Sequence, residues 1–130
     1  MMKRYVLVLL LAMTSMECVA GLSEGEKAFS AKDYQTALKE LLPIANDGNA
    51  SAQFILGQMY YLGQGVAQDY SQAIDWYRKA AEQGSKTVQL ILGLMYSEGL
   101  GVAKDYRQGL NWYRKAAEQG SAAAQYALGQ

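Results

Sequence analysis

Apolar residues between Asn49 and Leu62 fall at Ala52, Ile55, Leu56, Met59 and Tyr60, the i, i+3, i+4, i+7, i+8 spacing of one helical stripe. Between Asp69 and Gln83 they fall at Ala73, Ile74, Tyr77, Ala80 and Ala81, again one face, which Trp76 widens. The pattern predicts two amphipathic helices, A and B, joined by a loop containing Gly63 and Gly65. Both ends of helix B carry their own signals. Asp69 can accept a free N–H of the first turn while the Gln72 amide reaches back to the cap, and Gly84 supplies the left-handed residue on which helices commonly end.

Offsetting the chain against itself by 36 residues places Asp33 on Asp69 and Asp105, Tyr34 on Tyr70 and Tyr106, and Gly48 on Gly84 and Gly120. Gln53, Gln89 and Gln125 also align, as do Gly57, Gly93 and Gly129, and the string Trp76 to Gly84 recurs unchanged as Trp112 to Gly120. A period in this range marks a solenoid in which each repeat is one supersecondary unit. The expected fold class is therefore all-α, a solenoid of repeated αα-hairpins. Gly57 and Gly93 lie inside helix A, where glycine costs about 1 kcal/mol against alanine. Close approach of a ring from helix B, Trp76 or Tyr77, accounts for them, and a side chain at Gly57 should displace it.

Ala52, Leu56, Gly57, Met59, Tyr60, then Gly63, Gly65, Val66, then Asp69, Tyr70, Ala73, Trp76, Tyr77, Lys79, Ala80, Ala81, Glu82 and Gly84 together resemble the Sel1-like repeat. The second copy departs little, with Val88 in place of the first alanine and Gly109 in place of Ala73. This resemblance spans Asn49 to Gln130 and implies a superhelix related to tetratricopeptide repeats. Upstream, Leu22 to Asp47 resembles a shorter tetratricopeptide-type hairpin through Phe29, Ala31, Asp33, Tyr34, Ala37 and Leu38; it lacks the Gly-x-Gly insert, and Pro43 should bend its second helix. The expected organisation is a leader at 1–20, a hairpin at 21–48, full repeats at 49–84 and 85–120, and a partial repeat at 121–130. In the last of these Ala123, Ala124, Tyr126, Ala127 and Leu128 would pack backward and leave one side open, so either the chain is truncated or that edge is covered by a partner or a second copy, with a homodimer as one outcome.

The leader is read from Lys3 and Arg4, the apolar run Tyr5 to Met13, and small residues at Cys18 and Ala20. Nine apolar residues are too few for a bilayer-spanning helix, which needs about 20. A signal peptide cut after Ala20 is expected, hence a periplasmic or secreted protein without stable membrane insertion. Lipidation at Cys18 is disfavoured because Glu17 stands where such signals carry Gly or Ala. Removal takes Lys3, Arg4, Glu17 and the single cysteine, leaving ten basic against eleven acidic residues and no disulfide.

Composition then narrows the chemistry. Basic and acidic residues balance at twelve each with no basic run, which argues against nucleic acid as a partner. Histidine is absent, which removes the commonest general base and metal ligand, and with no cysteine left after the leader no zinc site is expected. Gly63-Gln64-Gly65 and Gly99-Leu100-Gly101 lack the third glycine of a dinucleotide fingerprint and follow helices, so they read as loop glycines and no cofactor is expected. No Ser-x-x-Lys occurs, and Lys86-Thr87-Val88 lacks the glycine of Lys-Thr-Gly. Most of the ten tyrosines fall on apolar stripes and are assigned to the core. What remains is a non-catalytic module whose helix A faces line a concave groove for a peptide or protein. Residues of helix A outside the stripe are the candidates: Gln53, Gln58, Tyr61, Gln89, Leu94, Ser97 and Gln125, with Tyr61 as anchor. The resemblance leaves two other readings: an envelope hydrolase of the penicillin-binding or β-lactamase-like kind, and a secreted effector or toxin-antidote component.

Overall fold

The computed structural model describes residues 21–129. The leader, its cleavage point and Gln130 lie outside the described residues. Seven helices follow one another: α1 at 21–30, α2 Tyr34–Asn46, α3 Ala50–Leu62, α4 Tyr70–Glu82, α5 Lys86–Glu98, α6 Tyr106–Glu118 and α7 Ala122–Leu128, with no strand among the described residues. Contacts concentrate between consecutive helices and are densest inside the hairpins α3–α4 and α5–α6, as expected of a helical repeat solenoid.

Helix starts are set by side-chain caps at the same period as the repeat. The carboxylates of Asp33, Asp69 and Asp105 accept the N–H three residues on, opening α2, α4 and α6. Asn49, Ser85 and Ser121 do the same for α3, α5 and α7. The reciprocal half of the expected capping box does not form. The Asp69 N–H instead donates to the Tyr60 carbonyl (2.9 Å), and that of Asp105 to the Tyr96 carbonyl (2.8 Å), so these donors pin each helix B to the helix A before it. At the other end of α4, the Gly84 N–H donates to the Ala81 carbonyl and the Ser85 N–H to the Ala80 carbonyl while Gly84 sits at φ +97°. This is the paired closure that only a residue tolerant of left-handed backbone completes without strain. Helix α2 runs on past the exposed Pro43 to Asn46.

The core is threaded rather than divided. One buried cluster joins Ala28, Leu41, Leu56 and Met59 to Trp76, and the next joins Ile74, Tyr77, Val88 and Leu92 to Trp112. Each helix B tryptophan thus points back toward the preceding hairpin while its neighbouring tyrosine faces forward, and Lys79 and Lys115 extend over these indoles at 4.5 Å. The space beside Gly57 belongs to Tyr77, not Trp76: a Cβ at Gly57 would lie 2.6 Å from the Tyr77 ring, and one at Gly93 would lie 2.5 Å from that of Tyr113. Assigning tyrosine to the core holds in part, since Tyr77, Tyr96 and Tyr113 are buried but Tyr70, Tyr106 and Tyr126 are exposed.

Candidate functional site

Buried positions on the A helices fix which face is left open. On α3 the inward positions are Ala52, Gln53, Leu56, Gly57 and Met59, and on α5 their equivalents Val88, Gln89, Leu92, Gly93 and Met95. The opposite face carries Phe54, Ile55, Gln58 and Leu62 on α3 and Leu90, Ile91 and Leu94 on α5, all half-buried or exposed. Tyr126 continues the row on α7. These side chains recur one helical turn apart along each helix and one repeat apart between helices, so they form a strip rather than scattered apolar residues. Phe54 and Ile91 rest on the central cluster and Leu90 on the cluster of Tyr113, Ala116 and Ala124, which holds the inner edge of the strip rigid. At the start of the strip a shallow depression of about 450 Å³ lies between Ser51, Phe54, Ser85 and Thr87.

Two of the seven candidate groove residues are not available at all. Gln53 and Gln89 are each only 3% exposed. Gln53 Nε2 donates to the Ala45 carbonyl (3.0 Å), and its Oε1 accepts from Gln83 Nε2 (2.8 Å). Gln89 repeats both bonds with Ala81 (3.0 Å) and Gln119 (2.8 Å). Through these two bonds each amide clasps its helix A to the end of the helix before it and to the end of the helix after it. Gln125 makes the same bond to the Ala117 carbonyl (3.2 Å) but stays exposed. Tyr61 and Ser97 are half-buried where helices A and B of one hairpin cross: Tyr61 packs against Tyr70 with ring centres 5.1 Å apart and planes inclined by 56°, and Ser97 packs beside Gly109. Only Gln58 and Leu94 lie on the open strip, Leu94 with 47% of its surface exposed. Tyr61 is thus engaged in packing within its own hairpin, and the open strip is formed by the apolar residues flanking Gln58 and Leu94. Counting a glutamine as polar, and so as solvent-facing, is what misassigned Gln53 and Gln89. Their recurrence at one period beside the buried glycine was the available signal.

Electrostatics add little to the strip. Burial, and secondly the neighbouring Tyr61, push the Tyr77 hydroxyl up to about 12, but it lies behind the strip in the hairpin core. Lys104 is raised by its hydrogen bond to Tyr106, over whose ring it sits at 4.8 Å. Ser85 and Ser121 spend their hydroxyls as helix caps. No group of three or more Asp, Glu, His or Cys able to hold a metal is found among the described residues, and none of their helices is long and apolar enough to cross a membrane. The arrangement offers apolar area backed by a stiff scaffold.

The model of the Sel1 repeat matches residues 50–85 and 88–121. The chain belongs to the Sel1 repeat family. Repeats of this family generally serve as protein–protein interaction modules. Among solved structures, a Sel1 repeat protein from Oxalobacter formigenes is 40% identical with a TM-score of 0.75, over 81% of this chain and 43% of that one. A protective antigen present in uropathogenic Escherichia coli strains, displaying an SLR fold, is 39% identical with a TM-score of 0.81, over 93% of this chain and 27% of that one. The Helicobacter pylori cysteine rich protein B is 28% identical with a TM-score of 0.67, over 72% of this chain and 70% of that one. This Sel1 chain thus spans less than half the length of the first two. No curated protein matches it.

Proposed function

We propose that this Sel1 repeat chain is an exported, non-catalytic scaffold that binds a peptide or protein segment across the open faces of α3, α5 and α7, in the periplasm or outside the cell. The single observation that carries the reading is the apolar strip of Phe54, Ile55, Leu90, Ile91, Leu94 and Tyr126, which stands half-buried to exposed on the helices whose other face forms the core. A partner gains apolar burial there, at about 25 cal/mol per Å², without the scaffold having to order itself first. Export rests on the basic start, short apolar run and small residues before Gly21.

The test compares Leu94→Asp and Ile91→Asp with the parent in crosslinking to envelope proteins, with melting followed by circular dichroism. Loss of a crosslinked partner with little change in melting of Leu94→Asp supports the reading. Retention of that partner by both variants overturns the placement of the site. Purified protein is expected to leave a chromogenic β-lactam intact, and turnover that follows the protein through purification would replace the scaffold reading with the hydrolase one.

A further inference from the structure

Of the helices α3, α5 and α7, only α5 carries charged side chains. Lys86 is its first residue and Glu98 its last, with Leu90 and Leu94 between them at four-residue intervals. The four side chains therefore form one slowly winding row, and all of them are exposed or half-buried. Neither charge is explained by the fold. The equivalent positions of α3 are Ala50 and Leu62, so the repeat requires neither. A cation in the first turn and an anion in the last both oppose the dipole of their own helix. The one ion pair among the described residues joins Lys27 to Glu24, and Glu98 is the least of the influences that raise Lys104, after the hydrogen bond to Tyr106.

We propose that α5 seats an amphipathic partner helix bearing one acidic and one basic side chain twelve residues apart, with two apolar residues between them. The acid meets Lys86, the apolar pair meets Leu90 and Leu94, and the base meets Glu98. This rests on the open strip being the binding face and names what it binds. Charge complementarity sets the two ends of the occupant, and the lining sets its form. Between Lys86 and Glu98 the row offers no hydrogen-bonding side chain, so an extended segment would lay unpaired N–H and C=O groups on apolar surface, whereas a helix satisfies its own. From Lys86 to Glu98 α5 rises about 18 Å, over which a second helix repeats the same four-residue spacing. At the Lys86 end the depression beside Phe54 and Thr87 has room for a further apolar side chain. A second copy presenting α5 antiparallel would match the charges as well, but it would set α3 on its own counterpart, where no charge pairs.

The probes are three end-capped, labelled, alanine-rich peptides titrated into the full chain by fluorescence anisotropy at low salt. At positions i, i+4, i+8 and i+12 they carry glutamate, two leucines and lysine; lysine, two leucines and lysine; or glutamate, two leucines and glutamate. The parent chain should bind the mixed peptide about threefold or more tighter than the other two, a preference that fades with added salt. Lys86→Glu should reverse the order and favour the peptide with two lysines. That variant places an acid in the first turn of α5, where the dipole favours it, so circular dichroism should show no loss of folding. Leu94→Asp should abolish binding of all three. If Leu94→Asp abolishes binding but the parent does not discriminate, or Lys86→Glu leaves the order unchanged, the proposal is overturned and the strip stands as the binding face. A proline between the two leucines of the mixed peptide should abolish binding, and undiminished binding overturns the helical occupant. Absence of saturable binding overturns the proposal, as does a dimer of the chain alone that Lys86→Glu dissociates, since a second copy would then be the occupant.

Discussion

The two Sel1 repeats carry the same string from Trp76 to Gly84 and from Trp112 to Gly120, yet equivalent residues just before it meet different fates. Ile74 is 7% exposed and Leu110 40%; Tyr70 is 40% exposed and Tyr106 62%. The first member of each pair is covered by the helix and loop of the repeat that follows, whereas the second is followed by α7 alone among the described residues. Within each hairpin the two repeats are alike, with Tyr77 on Gly57 and Tyr113 on Gly93. Contacts inside a hairpin are thus fixed by the repeat itself, whereas contacts between hairpins depend on a neighbour.

The largest test of this contrast uses two glycines at equivalent positions of the repeat, Gly93 inside α5 and Gly129 just after α7. Gly93→Leu must drive apart α5 and the Tyr113 ring, and should cost about 3 kcal/mol or more in denaturant unfolding, whereas Gly129→Leu should stay within about 0.5 kcal/mol of the parent. A comparable loss at both positions would show that α7 is already packed like α5. Next, truncating Ile74 to alanine should cost about 2–4 kcal/mol and truncating Leu110 under about 0.5 kcal/mol, which urea titration resolves. Alkaline titration tests the buried ring inside the first of these hairpins. Because the Tyr77 hydroxyl is pushed up to about 12, the folded chain keeps a proton that the unfolded chain releases first. Its contribution is fully present below about pH 10 and is lost as pH rises to about 12, a fall of roughly 2 kcal/mol. Tyr77→Phe should flatten that part of the stability curve. The smallest effect belongs to the amide clasps: Gln89→Ala should cost about 1–2 kcal/mol by removing its buried bonds to the Ala81 carbonyl and the Gln119 amide, and exposed Gln125→Ala only a few tenths. Equal losses would mean that burial adds nothing to the Gln89 clasp.

Much of the fold was legible because it is local. Asp69 and Gly84 mark the ends of α4 within a residue, and the expected helix from Asn49 to Leu62 is α3 with Asn49 as its cap. The first hairpin was read less well. Gly25 meets Leu41 as Gly57 meets Tyr77, but Gly25 lies 32 residues before Gly57 while Leu41 lies 36 before Tyr77. The missing loop insert shifts helix A alone, and a single offset hides the pair. The open face of the A helices was read worst. Polarity placed Gln53 and Gln89 in the open, although hydrogen bonds to Ala45, Ala81, Gln83 and Gln119 keep them inside.

By itself the sequence determined the period, the helix ends and the glycine reserved for a ring, because capping, turn geometry and steric fit act over a few residues. Tertiary structure decided that Tyr77 rather than Trp76 takes that space, that a glutamine can be a core residue, and that Leu110 stays open where Ile74 is closed. Each of these depends on what stands opposite a side chain across the fold, and burial belongs to that pairing rather than to the residue.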